Sequence, residues 1–379
     1  MSVLSSPPVA SPPPAKSPLP PSVGEPDLLA VPTGFCLRRF VEQSPAPVLP
    51  PVVFDADRRA LQFVVYPLQD VAADAQEAVA IEVLVCQAAP GQPLLVYGLP
   101  VEKKTKSAKQ RATEATQRDE LKQQIEGVLG LDEDFSLFYA MCQIDPGLRW
   151  VADAEGGRCL RSPRVFEDLV KCLLRPRLPA AQVAEVCALL CQQYGPATTL
   201  NRRGFPTAQA LAKATPAQLE RKLRIAAPVA KVLHALIRFC SNGQFFAESL
   251  RRLPSGFAQL ISDADDDADA DGRVLTAVDA ELEWQLRVSG FVDRLPGFGE
   301  RACALLYPLI GCHSEPSLDI ASLRLWQSQT TRGRRGKSPL RARTPEADAV
   351  AQRILNRVGR YAIYAGLAQR LLLQDPPGV

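Results

Sequence analysis

Leu295-Pro296-Gly297-Phe298-Gly299-Glu300-Arg301-Ala302 is the stretch on which the reading of this chain turns. Two glycines around one apolar residue allow a tight hairpin between helices, with Leu295 ahead of it and Phe298 at its centre. Without side chains at 297 and 299, backbone N–H groups can approach a phosphate, and the helix that follows points its positive end the same way. Such a contact fixes position along a duplex and carries no base information. Pro-Gly turns between helices are common, so the motif alone does not fix a function. Asp319 stands twenty positions past Gly299, after an apolar helix over 302–310 and a short loop, in Ser317-Leu-Asp319-Ile-Ala321. By itself it reads as the N-cap of a helix over 320–327.

Outward from the hairpin the period is helical. Val165, Phe166, Leu169, Val170, Leu173 and Leu174 form the i, i+3/i+4 stripe of a helix packed on one face, with Ser162-Pro163 as its expected cap and first residue. Thr215-Pro216 with Gln218 predicts a capping box, and Thr344-Pro345 another helix start. Further helices fit 180–194, 207–214, 228–241, 244–252, 278–289, 300–310, 320–327 and 345–373.

The region before 102 differs. Leu61–Tyr66 and Ala80–Cys86 are rich in β-branched and aromatic residues, and together with 35–41 and 93–99 they predict strands. The expected fold is mainly α: a multi-helix domain over 121–373, behind a charged linker or helix at 102–120 and a small β-rich (α+β) domain at 35–101. Many of the 34 prolines crowd residues 1–34, a Pro/Ser-rich stretch too poor in apolar surface to order, so a disordered tail is expected there.

Net charge is only +3, but its distribution is uneven. Residues 263–271 carry six aspartates and 332–343 six basic residues without an acid, both read as solvated inserts. No apolar run spans a membrane, and the N-terminus lacks a signal-peptide layout, so a cytoplasmic protein is expected, on the nucleoid in a bacterium. Ten scattered cysteines without a CxxC pair predict reduced, packed thiols; Cys187 and Cys191 on one helix face lack partner histidines for a metal. Asp267-Ala-Asp269-Ala-Asp271-Gly272 copies half of a calcium loop but has Val278 where the bidentate acid belongs. No metal and no cofactor are implied.

Several segments together resemble the helix-hairpin-helix DNA glycosylases, in particular the 3-methyladenine and 8-oxoguanine enzymes. They are Asp132–Tyr139, Asp145-Pro-Gly-Leu148, Cys159–Val170, Phe205–Ala212 and the hairpin itself, with Phe35–Val41 like that family's opening strand. The resemblance covers roughly 35–371. It implies a helix-hairpin-helix glycosylase domain acting as a monomer on double-stranded DNA with a damaged base. Asp319 falls where that family keeps its catalytic aspartate. The resemblance implies that Leu295, Gly297, Phe298, Gly299 and Arg301 meet DNA, and that Arg177 or Leu178 fills the gap left by a flipped base. Bifunctional relatives carry a lysine nucleophile where this chain has Arg301, and arginine is a poor nucleophile, so hydrolysis without lyase activity is expected. Arg301 contacts a phosphate or faces solvent.

Alternatives stay open at single residues. Tyr361 and Tyr364 line the base pocket or belong to the core, and His313 approaches the site or faces solvent. The loop 174–179 and the turn 223–228 depart from the family pattern. A damaged, alkylated purine is the expected substrate of an enzyme; a DNA-damage-binding protein with a degenerate pocket is the alternative.

Overall fold

The computed structural model describes residues 25–67, 80–100, 108–200, 202–243, 245, 247–251, 277–330, 340 and 344–374. Residues 1–24 of the expected tail, the acidic insert and the basic insert apart from Leu340 lie outside the described residues, as does the half calcium loop.

Five antiparallel strands form one sheet in the order β1-β5-β4-β3-β2: β1 Asp27–Leu29, β2 Val53–Asp55, β3 Ala60–Val65, β4 Ile81–Gln87 and β5 Leu94–Tyr97. β1 lies inside the stretch expected to be disordered; it pairs with β5, and Asp27 is held by Arg118 and Lys122. The expected strand over Phe35–Val41 is a helix, Leu37–Gln43. Its buried residues Leu37, Phe40 and Val41 sit at helical spacing, and that period overrides the aromatic content. β4 is buried at every position because it is covered on both faces. Helix Ala108–Val128 lays Leu121, Ile125 and Val128 on one, while Glu82 on the other takes Thr198 and Arg202.

The helical region expected as one domain has two cores. The first is built from Val165–Leu174, Ala180–Tyr194, Ala227–Ser241, the end of Ala277–Val292 and Glu300–Leu306, and reaches Cys312, with Leu49 joining from the N-terminal region. Phe135, Phe138, Cys142 and Val151 pack instead with Leu323, Trp326, Ile354, Tyr361 and Leu371, near the other end of the chain. The second core is thus closed by segments some two hundred positions apart, and the chain crosses from one core to the other between Cys312 and Leu323.

Local signals explain most boundaries. The capping box at Thr215 and Gln218 forms, and Thr344 caps Pro345–Val358. Helix Val165–Leu174 begins two residues later than expected, because carboxylates replace the serine cap: buried Asp168 takes the Ser162 amide and half-buried Glu248 the Val165 amide. The single helix expected over 345–373 is broken at Ala362 (φ 45°) into Pro345–Val358, a 3-10 stretch Gly359–Tyr364 and Ala365–Leu372. The break lets Gly366 and Leu367 donate to the His313 carbonyl at 2.8 and 3.1 Å. All ten cysteines are free thiols. Among the described residues no helix is long and apolar enough to cross a membrane, and no cluster of acids, cysteines or histidines is arranged to hold a metal.

The second core is tied by one carboxylate. Asp145 accepts from the Gly147 amide (2.9 Å), Arg357 (2.7 Å), Arg360 and the Tyr361 hydroxyl. Burial pushes the Asp145 carboxyl up, but the Tyr361 and Arg357 hydrogen bonds outweigh it and hold the group well below its ordinary 3.8. A depressed folded-state pKa contributes stability above the unfolded value and loses it as pH falls through the folded one. Asp145→Asn is therefore expected to melt at lower temperature at neutral pH, and to show a shallower loss of melting temperature than wild type below about pH 4. Thermal unfolding followed by circular dichroism across that range checks both.

Candidate active site between the two helical cores

The hairpin is set by its first glycine and opened by its second. Leu295 is buried in the first core, Phe298 packs on it, and the Phe298 amide donates to the Leu295 carbonyl at 3.0 Å. Gly297 has φ 78°, and a Cβ there would lie 2.1 Å from Val232 Cγ1 and 3.1 Å from Leu173 Cδ1. Only glycine satisfies both demands. Gly299 is different: it caps Glu300–Leu306 in extended conformation, and a Cβ on it would meet no atom within 4 Å. Its amide and that of Glu300 find no acceptor among the described residues. The turn leaves polar backbone facing open space, which is what an incoming anion requires.

Asp319 stands on the crossing between the cores and is 8% exposed. Its Oδ2 accepts from Ser317 Oγ (2.6 Å), Ser322 Oγ (2.8 Å) and Arg301 Nη1 (3.0 Å), and its Oδ1 from the Ser322 amide (3.2 Å). The last bond is a helix cap on Ile320–Thr330, so capping and a role at a site coexist in one carboxylate. Burial pushes the Asp319 carboxyl up; the Ser317 and Ser322 hydrogen bonds and the Arg301 charge outweigh it and hold the group ionised below its ordinary 3.8. Arg301 itself is about half exposed.

Two buried glutamines that sequence reasoning missed hold the crossing. Gln285 Oε1 accepts the His313 and Ser314 amides at 2.9 and 2.7 Å. On the other side, Gln369 takes the Ser317 amide (2.6 Å) and donates to its carbonyl (2.8 Å). No local pattern marks either glutamine. Ser322 was missed as well, but its place as the third helical residue after an Asp cap is a signal that could have found it. His313 does not face solvent: it is buried, 2.8 Å from Glu133 Oε1, edge-on to Phe135 and stacked on Tyr364.

The other expected residues divide. Arg177 is joined to the hairpin, donating Nη2 to the Gly297 carbonyl and Nη1 to the Leu173 carbonyl at 2.7 Å. Leu178 is half-buried against the first core. Tyr361 is 1% exposed with its hydroxyl turned to Asp145, and Tyr364 packs among Phe135, Phe138 and His313; both serve the second core.

Comparison with known proteins agrees with this layout. No family model matches the chain, and no curated protein matches it in sequence. Solved structures do. 3-Methyladenine DNA-glycosylase from Archaeoglobus fulgidus is 17% identical, with a TM-score of 0.57 over 94% of this chain and 99% of that one. The 8-oxoguanine glycosylase/lyase of Clostridium acetobutylicum, in complex with double-stranded DNA containing cytosine opposite 8-oxoguanine, is 14% identical, with a TM-score of 0.56 over 93% and 96%. Its apo form gives 13% and 0.56 over 92% and 98%. The chain has the helix-hairpin-helix fold of these glycosylases.

The two glycines should separate cleanly. Gly297→Ala is expected to cost about 1–3 kcal/mol, from the left-handed backbone and the Val232 clash. Gly299→Ala should leave the fold within about 0.5 kcal/mol of wild type. Urea titrations of the two variants measure this contrast.

Proposed function

We propose that this protein is a DNA N-glycosylase that flips a damaged purine out of duplex DNA and hydrolyses its N-glycosidic bond. The observation that carries the reading is Asp319: an ionised, positioned carboxylate on the crossing between two helical cores, one ion pair away from the hairpin helix. The shared fold supports it.

Cleavage of an N-glycosidic bond builds positive charge on the deoxyribose, as in O-glycoside hydrolysis. A carboxylate held beside the sugar stabilises that charge without reorganising, and can orient the attacking water. Ser317 and Ser322 keep Asp319 aimed and deprotonated. Gly297 and Gly299 would set a phosphate against the hairpin backbone and fix the register of the duplex. In the free protein the Arg301 guanidinium sits on the carboxylate, and a cation there opposes cation stabilisation at the sugar. Its exposed position allows it to turn to the DNA backbone, which would release Asp319 for the reaction. Always protonated, Arg301 forms no Schiff base, so the base leaves by hydrolysis without strand cleavage. An alkylated purine is the first substrate class to test, with the protein acting as a monomer.

The Arg301–Asp319 contact also favours a second reading, a DNA-damage-binding protein whose carboxylate is permanently neutralised. Single-lesion duplexes distinguish the two. For the enzyme, Asp319→Asn should lower base release at least about a hundredfold while keeping duplex affinity. Borohydride should trap no covalent adduct. Lesion binding without release in wild type and variant alike would leave only the binding protein.

Removing a hydrogen bond to the carboxylate should show in the pH profile. Asp319 must be ionised, and its folded-state pKa lies below the ordinary value, so wild-type release should hold steady down to about pH 4. Ser322→Ala should move the acid limb of release toward higher pH, measured as single-turnover rates.

A further inference from the structure

Two hydroxyls aim Asp319, and their backbones are held in different ways. Ser322 lies in helix Ile320–Thr330, with its amide taken by the cap. Ser317 lies in the irregular crossing, directly after Pro316. Among the described residues neither its amide nor its carbonyl takes part in a backbone hydrogen bond. Both groups are met by one side chain from another element. Gln369 Oε1 accepts the Ser317 amide at 2.6 Å, and Gln369 Nε2 donates to the Ser317 carbonyl at 2.8 Å. Gln369 is 2% exposed, in helix Ala365–Leu372. That helix is itself seated on the crossing: the Gly366 and Leu367 amides donate to the His313 carbonyl, and a Cβ on Gly366 would lie 2.2 Å from the Glu315 carbonyl oxygen.

We propose that Gln369 is a positioning residue for the reaction, clamping the Ser317 peptide so that the Ser317 hydroxyl stays aimed at the Asp319 carboxylate. Its part in catalysis rests on the glycosylase reading; the clamp itself does not. A primary amide presents a donor and an acceptor side by side, so two bonds to one residue fix both the place and the rotation of that residue's backbone. The hydroxyl so held lies 2.6 Å from Asp319 Oδ2, nearer than Ser322 Oγ at 2.8 Å or Arg301 Nη1 at 3.0 Å. A donor fixed before the reaction stabilises the carboxylate without reorganising during it. Gln369 meets the requirement without touching Asp319. Methionine at 369 would keep the length of the side chain and make neither bond. Glutamate would make both only while protonated, because an ionised carboxylate has nothing to donate to the Ser317 carbonyl.

The test uses the full chain with Gln369→Met, Gln369→Glu, Ser317→Ala, and Gln369→Met combined with Ser317→Ala. Single-turnover release from a single-lesion duplex should fall about tenfold in Gln369→Met and in Ser317→Ala. Duplex affinity should not change, and the acid limb of release should move toward higher pH. The double variant should be no slower than the slower single one, since both substitutions remove the same aim. Effects that multiply would overturn the proposal, as would wild-type release and a wild-type acid limb in Gln369→Met. Should Gln369→Met fail to fold, Gln369→Glu decides. Its release relative to wild type should climb as pH falls and the new carboxyl protonates; a constant ratio would overturn the proposal. A merely structural glutamine would lower the melting temperature with neither signature. Carboxyl-carbon NMR titration of Asp319 without DNA separates the clamp from the glycosylase reading. The Asp319 midpoint should rise in either Gln369 variant, and an unmoved midpoint removes the clamp. If wild type releases no base while the midpoint still rises, the glycosylase reading falls and the clamp stands.

Discussion

Residues 312–319 carry the chain from one helical core to the other, and the arrangement around Asp319 depends on how that crossing is held. It has almost no regular structure of its own, so its amides need partners from outside. Gln285 supplies one side, Gln369 the other, and the first amides of helix Ala365–Leu372 take the His313 carbonyl. Gly366 completes the fit, since a Cβ there would lie 2.2 Å from the Glu315 carbonyl. An amide side chain suits this task because it donates and accepts without charge. A carboxylate in either place would accept the amides and add a second negative charge near Asp319.

The hairpin and the crossing are coupled through Arg301. Position 301 is the second residue of a helix whose entrance is fixed by Gly297, so the reach of its side chain follows from the turn. That reach ends on Asp319 and Ser322. The same geometry leaves the ion pair screened, because Arg301 is about half exposed to solvent, while the serines keep Asp319 in place.

How much of this was legible divides along the range of the interactions. The hairpin turn, the Asp319 cap and the Thr215 capping box show as residue types within a few positions, and strands β3, β4 and β5 show in their β-branched and aromatic composition, so their signals are local even where their packing is not. Helix Leu37–Gln43 was misread because Phe35-Cys-Leu-Arg-Arg-Phe-Val41 satisfies strand composition while its buried residues follow a helical period. The split into two cores could not be read from periodicity, since Phe138 and Tyr361 carry the same apolar signal whichever core they join. The hydrogen bonds of Arg177 to the Leu173 and Gly297 carbonyls were likewise beyond the sequence, because the second acceptor lies 120 positions away.

Buried charge gives the frame its register. Arg161 is 2% exposed and lies 3.2 Å from Asp132 and 2.5 Å from Glu133; Lys171 pairs with Glu167 and Arg251 with Asp168. Pairs like these return little net stability, because desolvation offsets their attraction. Misplacing one is far more costly, because it strands a charge in the interior. Glu133 shows the consequence. Burial pushes its carboxyl up, but Arg161 and His313 outweigh this and bring it down to about 2. It therefore stays charged and holds His313 at 2.8 Å, at the head of the crossing. From Arg161 through Glu133 to His313, then by the His313 carbonyl to helix Ala365–Leu372 and by Gln369 to Ser317, one run of polar contacts leads from the buried charges to the residue that holds Asp319. The carboxylate at the end of that chain is placed by the cost of every alternative more than by the strength of any single contact.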